Sequence, residues 1–313
     1  MFTLTDTFPV AGPRLDAFAF PADEAVFAVG DVHGHKRKLA ELLDGMADVR
    51  TPGKRRHLVF LGDLVDRGPD SLGTLHLAAS AGREYGFDAV TYLPGNHELM
   101  MLDALAWMAN PMHAGAVPKL DRVPALGNWL LNGGMAVMEE ASPDWGHGNW
   151  ASDHAALVAR LPLWDGAPLL RHLATGPTHL RVGDALLVHA GVAPKRPLAD
   201  TLDLLRRDHT GAHGDRHWAW VRRPFLEWPF GWAKDGVGTK GDGKPGVLVL
   251  HGHTAPAGVR TAWLEDPARL RMGFDKLHSA RLCLDGGAAQ GLMVAGALLT
   301  DAGVRLAAAD GTD

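Results

Sequence analysis

Gly62-Asp63-Leu64-Val65-Asp66-Arg67-Gly68 follows directly on the apolar run Leu58-Val59-Phe60-Leu61. A short apolar run bounded by glycine reads as a buried strand. A strand that ends in Gly62-Asp63 sets a carboxylate at its carboxyl edge, where open α/β sheets place their sites. Asp66 adds a second acid, and Arg67 a fixed cation able to grip an anion through two parallel hydrogen bonds. Two carboxylates and such a clamp suit a metal-assisted attack on phosphate.

The same arrangement recurs on both sides of this stretch. Upstream, Ala25-Val26-Phe27-Ala28-Val29 predicts a strand ending in Gly30-Asp31-Val32-His33-Gly34. A helix follows, with Leu39, Leu42, Leu43 and Met46 at helical spacing. Asp31 and His33 stand two apart, so both side chains can turn to one side and share an ion. Downstream, a predicted helix from Ser71 to Arg83 leads to the strand Val90-Thr91-Tyr92-Leu93 and then to Gly95-Asn96-His97-Glu98. Asn96 offers a neutral oxygen ligand and His97 a candidate general acid. Two later apolar runs, Asp184 to Val188 and Gly246 to Leu250, end in His189-Ala190-Gly191 and His251-Gly252-His253-Thr254. Five strand ends therefore carry Asp31/His33, Asp63, Asn96, His189 and His253. Asp, His and Asn without cysteine suit borderline-to-hard divalent ions such as manganese, iron or zinc. One carboxylate shared by two ions would give a two-metal site with a spacing of about 3.5–4 Å.

Composition narrows the field further. The 313 residues are 46% hydrophobic and 21% charged, ordinary for one or two globular domains. A net charge of −5, with no basic run longer than the three residues of Lys54-Arg55-Arg56, argues against a nucleic-acid partner. The single cysteine, Cys283, excludes an internal disulfide and a cysteine-based zinc site, and reads as a buried strand thiol. No basic-then-apolar leader is evident, and no apolar run approaches the roughly 18 residues of a bilayer span. The expected location is the cytoplasm, with no membrane partner.

Taken in order, Gly30-Asp31-Val32-His33-Gly34, Gly62 to Gly68, Gly95-Asn96-His97-Glu98, His189-Ala190-Gly191 and His251-Gly252-His253-Thr254 resemble the motif set of the calcineurin-like metallophosphoesterases. The intact Asp66-Arg67-Gly68 and Asn96-His97-Glu98 are similar to the phosphoprotein phosphatase branch, to which bacterial diadenosine tetraphosphatases are related. Trp129-Leu130-Leu131-Asn132-Gly133-Gly134 and Trp220-Val221-Arg222-Arg223-Pro224-Phe225-Leu226 resemble two further segments of bacterial members. The resemblance runs from residue 25 to about residue 300.

It implies an α/β fold with a central β-sandwich flanked by helices, in the layer order α/β/β/α. It also implies two divalent metal ions, manganese first and iron or zinc second. Asp31 and His33 would hold the first ion, Asp63 would bridge, and Asn96, His189 and His253 would complete the second. A bridging hydroxide would attack phosphorus in line. Arg67 and Arg222 would clamp the phosphoryl oxygens, Arg222 being chosen over its neighbour Arg223. His97, oriented by Asp66, would protonate the leaving oxygen. Asn132 is carried as a phosphate contact, with helix capping an equal alternative. His251 could be a ligand or stand behind the ligands, and His253 is favoured. The chain departs from the resemblance at Asp285-Gly286-Gly287, where the family usually reads Asp-Thr-Gly.

The organisation expected is an irregular lead-in over residues 1–22, then a single domain over 23–307 with a helical insert at about 99–180. The last two strands, about 279–285 and 291–299, are expected to close as a two-strand finish around Gly286-Gly287. Trp145, Trp150 and Trp164 read as core or lid packing. The aromatic stretch Trp218, Trp220, Trp228, Phe230 and Trp232 reads as a small core over the site, ahead of a wall that stacks on a substrate ring. The expected substrate is a phosphorylated protein, and the alternative a small phosphoester such as a dinucleoside polyphosphate. A catalytically dead phosphate-binding scaffold is disfavoured, because His97, Asp66 and both arginines are present.

Overall fold

A computed structural model of the chain describes residues 1–4, 18–113, 123–146, 149–209, 214–233, 246–256 and 280–311. Strand β1 (Phe2–Leu4) is short, and β2 (Glu24–Val29), β3 (Arg55–Phe60) and β4 (Ala89–Tyr92) run parallel to one another. Helix α1 (Lys36–Ala47) crosses from β2 to β3, and α2 (Ser71–Tyr85) crosses from β3 to β4. Helix α3 (Asn96–Met108) leaves β4 through Pro94-Gly95.

A helical block follows: α4 (Pro124–Trp129), α5 (Met135–Ala141), α6 (Trp150–Arg160) and α7 (Leu169–Thr175), with a small hairpin of β5 (Leu163–Trp164) and β6 (Ala167–Pro168). The block spans residues 124–175. Trp150 and Trp164 are buried in it, and Trp145 packs on it half-buried.

The second sheet holds β7 (His179–Val182), β8 (Ala185–Val188), β9 (Leu248–His251) and β10 (Arg281–Cys283), in the order β10-β9-β8-β7. Between β8 and β9 the chain forms the short helices α8 (Ala199–Leu202) and α9 (Arg223–Leu226). It ends with β11 (Val294–Thr300) and β12 (Gly303–Ala309), which return to the first sheet and set its order as β1-β12-β11-β2-β3-β4.

Alternation along the strands builds the layers. Ala25, Phe27, Val29, Leu58 and Phe60 face the helices, whereas Val26, Ala28, Val59 and Leu61 face the second sheet. On that sheet Ala185, Leu187, Leu248 and Leu250 complete the inter-sheet core, and Leu186, Val188 and Val249 point outward to α9 and its neighbours. Successive strand side chains take opposite faces, so two buried faces require near-continuous apolar runs. Each fully buried Val, Leu or Phe contributes about 1.5–3 kcal/mol. The architecture is the α/β/β/α sandwich expected.

Two expectations need correction. The lead-in is not wholly irregular: Phe2–Leu4 form β1, paired antiparallel with β12; residues 5–17 lie outside the described residues. The closing strands do not pair with each other either. β10 lies parallel to β9 in the second sheet, and Asp285-Gly286-Gly287 carries the chain across to the first sheet. The hairpin is formed instead by β11 and β12, so the domain extends to Ala309. No helix among the described residues is long and apolar enough to cross a membrane.

Candidate active site

The carboxyl ends of β2, β3 and β4 in one sheet meet those of β8 and β9 in the other. The loops there are tied together by main-chain bonds. Asp63 O accepts from Val32 N at 3.0 Å and from His33 N at 2.8 Å, and His189 O accepts from Gly252 N at 2.7 Å. Side chains then cross between the sheets. Both carboxylate oxygens of Asp31 accept from the His253 amide at 3.0 Å. His189 donates from Nδ1 to Leu61 O at 2.8 Å, which aims its Nε2 at Asn96 Oδ1, 3.0 Å away, and Asp63 Oδ1, 3.4 Å away. His253 Nδ1 donates to the same Asn96 Oδ1 at 2.8 Å.

Asp63 lies at the middle. Its Oδ1 faces His189, and its Oδ2 lies 3.6 Å from His33 Nε2 and 4.0 Å from His97 Nε2. His33 Nε2 is also 4.0 Å from Asp31 Oδ2, and its Nδ1 donates to Val65 O at 3.1 Å. Two groups of donors thus share Asp63: His33, Asp63 and His97, and Asp63, His189 and His253. All six residues expected as metal ligands are buried and converge.

Close approach of the loops dictates two glycines. A Cβ on Gly95 would land on Asp63 Oδ1, and one on Gly252 on Asp31 Oδ1. Strain concentrates here as well. His33, Asp63, Asp66, Arg67 and His253 adopt positive φ of 47°, 53°, 74°, 71° and 67°. Such non-glycine conformations cost of order 1–3 kcal/mol each and persist only where neighbours over-determine them.

His97 starts α3, and its Nδ1 donates to Asp66 Oδ2 at 2.6 Å. Burial disfavours the imidazolium, but Asp63 and Asp66 outweigh it and hold the His97 pKa above its ordinary value. Burial likewise opposes charge on His189, and the Asp63 carboxylate overcomes it, raising His189 to about 9. For Asp63 itself, burial is outweighed by His189, His97 and His33, which hold its carboxyl well below the usual range. His33 is instead pushed down to about 3, chiefly by burial.

Arg67 reaches the helical block: its Nε donates to Asn132 O at 3.2 Å. Arg222 donates from Nη1 to His253 O at 3.2 Å and to Thr254 Oγ1 at 2.7 Å, which places it at the rim of the site. Arg223 points away and forms an exposed pair with Glu227 at 3.7 Å. The Asn132 side chain donates back to Asn128 O at 2.7 Å, within its own helical segment, so its main-chain carbonyl is the part that meets Arg67. His251 is buried behind the donors, with Nδ1 bonded to Gly252 O at 3.0 Å and its ring edge-on to Phe225. Burial holds it down at about 3.

The sequence profile of the calcineurin-like phosphoesterases matches residues 25–286. The chain belongs to that family. Among its relatives, a serine/threonine-protein phosphatase 1 of Salmonella typhimurium is 38% identical over 109 residues, 35% of this chain and 38% of that protein. A symmetrical bis(5'-nucleosyl)-tetraphosphatase of Nitrosomonas europaea is 39% identical over 89 residues, 28% of this chain and 30% of the other. A protein of the same description from Paracidovorax citrulli is 32% identical over 166 residues, 52% and 53% of the two chains. The matches therefore span between 30% and 53% of the length of these relatives. A solved cold-active protein-tyrosine phosphatase of a Shewanella species is similar over 90% of this chain and 78% of its own, with 17% identity and a TM-score of 0.45.

Membership in the calcineurin-like phosphoesterases implies a metal centre, and the side chains present fit one. Three buried carboxylates, Asp31, Asp63 and Asp285, stand close enough to repel. Burial first, then Asp285 and Asp63, push the Asp31 carboxyl well up, a conflict that a cation removes. His253 Nε2 is buried with no hydrogen-bond partner in the structure, as an atom reserved for a ligand would be. The oxygen and imidazole donors match divalent ions of intermediate hardness.

Three residues of the site escaped the sequence reading. Glu98 is fully buried and accepts from Asp63 N at 2.9 Å, Leu64 N at 2.9 Å and Gly95 N at 2.7 Å, so it pins two of the loops. Trp129 donates from Nε1 to Asp66 Oδ1 at 2.9 Å. Glu140 accepts from Ser71 N and Leu72 N, both at 2.8 Å, at the start of α2. Glu98 and Trp129 lay inside the quoted motifs, which could have flagged them; Glu140 had no such signal. Of the aromatic stretch, Trp218 and Trp232 are fully buried and Trp228 nearly so, whereas Trp220 and Phe230 are half-buried and pack against that cluster.

Proposed function

We propose that this calcineurin-like phosphoesterase hydrolyses phosphomonoesters on protein substrates. The observation that carries this reading is the buried Asp66–His97 pair beside Arg67, a proton donor and a phosphate clamp on one side of the Asp63 carboxylate. The Salmonella relative named as a protein phosphatase supports it.

Asp31, His33, Asp63, Asn96, His189 and His253 would hold two divalent ions, manganese in the first instance. Bound there, the ions supply Lewis acidity toward phosphoryl oxygens and make water a stronger nucleophile at neutral pH. Arg67 and Arg222 offset the charge of the phosphoryl group as it transfers. The His97 Nδ1–H is committed to Asp66, so the proton for the leaving oxygen resides on Nε2. As the ester bond breaks, that proton neutralises the departing alkoxide, and Asp66 steadies the ring throughout. The loops of both sheets close the floor of the site, which strengthens each of these charge interactions.

A second reading, hydrolysis of dinucleoside polyphosphates, is favoured by the relatives from Nitrosomonas europaea and Paracidovorax citrulli. The test is phosphate release by the manganese-loaded protein from phosphoserine, phosphothreonine and phosphotyrosine peptides and from diadenosine tetraphosphate, with Asp63→Asn as the blank. Preference for a phosphopeptide is the expected result. Preference for the dinucleotide would replace the first reading with the second.

A further inference from the structure

Asp66 and Arg67 sit in consecutive left-handed conformations, at φ 74° and 71°, in a loop that makes no regular secondary structure. Something outside the loop must hold them there. The segment from Trp129 to Glu140 does so at four points. The Trp129 indole donates to Asp66 Oδ1 at 2.9 Å. Asn132 O accepts from Arg67 Nε at 3.2 Å, and Gly133 O accepts from Arg67 N at 3.3 Å. Glu140 then grips the two amides that open α2, and Ser71 Oγ in that same turn accepts from Asp66 N at 3.0 Å.

The shape of this segment suits that role. Between α4 and α5 the helix widens over Leu130–Gly134 and breaks at Gly133, which adopts φ 121° and ψ −3°. Widened turns inside helices frequently mark functional sites. Here the break releases the carbonyls of Asn132 and Gly133 from the helix and turns them toward Arg67. A side chain at Gly133 would meet the Arg67 main-chain nitrogen at 2.8 Å, so the fit is tight. Trp129, one turn earlier, is fully buried and reaches the Asp66 oxygen that His97 does not use.

We propose that Trp129 is a positioning residue of the phosphoesterase reaction and that the broken turn after it sets the phosphate clamp. With Oδ1 held by the indole, Asp66 presents Oδ2 to His97 in one orientation, and the imidazole directs its other nitrogen to the leaving oxygen. The same turn fixes the Arg67 guanidinium through Asn132 O. One short segment thus aligns both the proton donor and the anion clamp, without itself touching the reacting atoms. This inference rests on the phosphomonoesterase reading above.

The experiment compares Trp129→Phe, His97→Asn and the wild type, each loaded with manganese, on 4-nitrophenyl phosphate, phenyl phosphate and a phosphoserine peptide. Phenylalanine keeps the ring in the core and removes the donor. Expected for Trp129→Phe is a loss of ~10-fold or more in kcat on the two substrates with poor leaving groups, against less than ~2-fold on 4-nitrophenyl phosphate. KM should stay near the wild-type value. Equal loss on all three substrates, or none, would overturn the role of Trp129. A wild type that hydrolyses no phosphomonoester would overturn both readings, whereas a selective loss in His97→Asn alone would overturn only this one. A second variant, Gly133→Ala, tests the other half of the segment even if Trp129→Phe does not fold. It should raise KM for every phosphomonoester and leave the leaving-group dependence of kcat unchanged; a wild-type KM would overturn the clamp-setting role.

Discussion

His97 Nδ1 lies 2.6 Å from Asp66 Oδ2, and both side chains are almost wholly inaccessible to solvent. A pair this close fixes the ring and leaves Nε2 as the nitrogen that faces Asp63. His97→Asn should therefore depress kcat on phenyl phosphate by ~10²-fold or more and on 4-nitrophenyl phosphate far less, since an acidic phenol leaves without a proton. Steady-state kinetics on the two esters checks it; a uniform loss would remove His97 from the proton transfer.

Glu98 should prove essential to stability. Its carboxylate accepts from the amides of Asp63, Leu64 and Gly95 at 2.7–2.9 Å in a fully buried position. Glu98→Ala strands those donors, each unmet amide costing about 1–3 kcal/mol. A loss of roughly 3–5 kcal/mol or outright failure to accumulate folded protein is expected, read by urea denaturation. A midpoint close to wild type would mean that other groups satisfy these amides.

Trp228 belongs to the outer core of the second sheet, with Lys195 Nζ 5.4 Å from its ring centre. Trp228→Ala should destabilise the fold by about 3–5 kcal/mol and lower activity on aryl phosphates and phosphopeptides alike. Selective loss on the peptide would point instead to a substrate-stacking wall.

His57 gives the fold a dependence on pH away from the metal centre. It is buried in β3, bonded through Nδ1 to Glu24 Oε1 at 3.1 Å and through Nε2 to Thr91 Oγ1 at 2.9 Å. Burial lowers its pKa, Glu24 opposes this, and Arg55 adds to the lowering. In the unfolded chain His57 takes up a proton near pH ~6.5, whereas the folded protein does so only at lower pH. Between these limits the unfolded state binds more protons, so this contribution is complete above pH ~6.5 and is lost as pH falls. Urea midpoints measured from pH ~7.5 to ~5 should fall less steeply in His57→Gln than in the wild type. Parallel slopes would exclude the effect.

Much of the centre was legible in the sequence for a physical reason. Strands buried on both faces read as apolar runs, and Asp31, Asp63, Asn96 and His189 come within a few residues of their ends. The donor set proposed above follows once the ends are found. What stayed hidden depends on contacts between distant parts of the chain. Nothing local says that Glu98 will take the amide of Asp63, 35 residues away, or that Trp129 will reach Asp66 across 63 residues. The strand β12 was missed because Ala307-Ala308-Ala309 favours helix in isolation. Pairing with β1 on one side and β11 on the other overrides that preference.

The position of β11 has a consequence for biosynthesis. It covers β2 through the pairs from Gly296↔Val29 to Leu299↔Val26, so β2 is made long before the strand that pairs with it. His253, too, is synthesised 222 residues after Asp31. At roughly 5–20 residues per second, a nascent chain spends about ten seconds or more with the β2 edge open and the proposed metal site incomplete. Unpaired strand edges invite pairing with other chains. During that interval the helices cover only one face of the first sheet, and loading of the proposed metal site waits at least until His253 has been made.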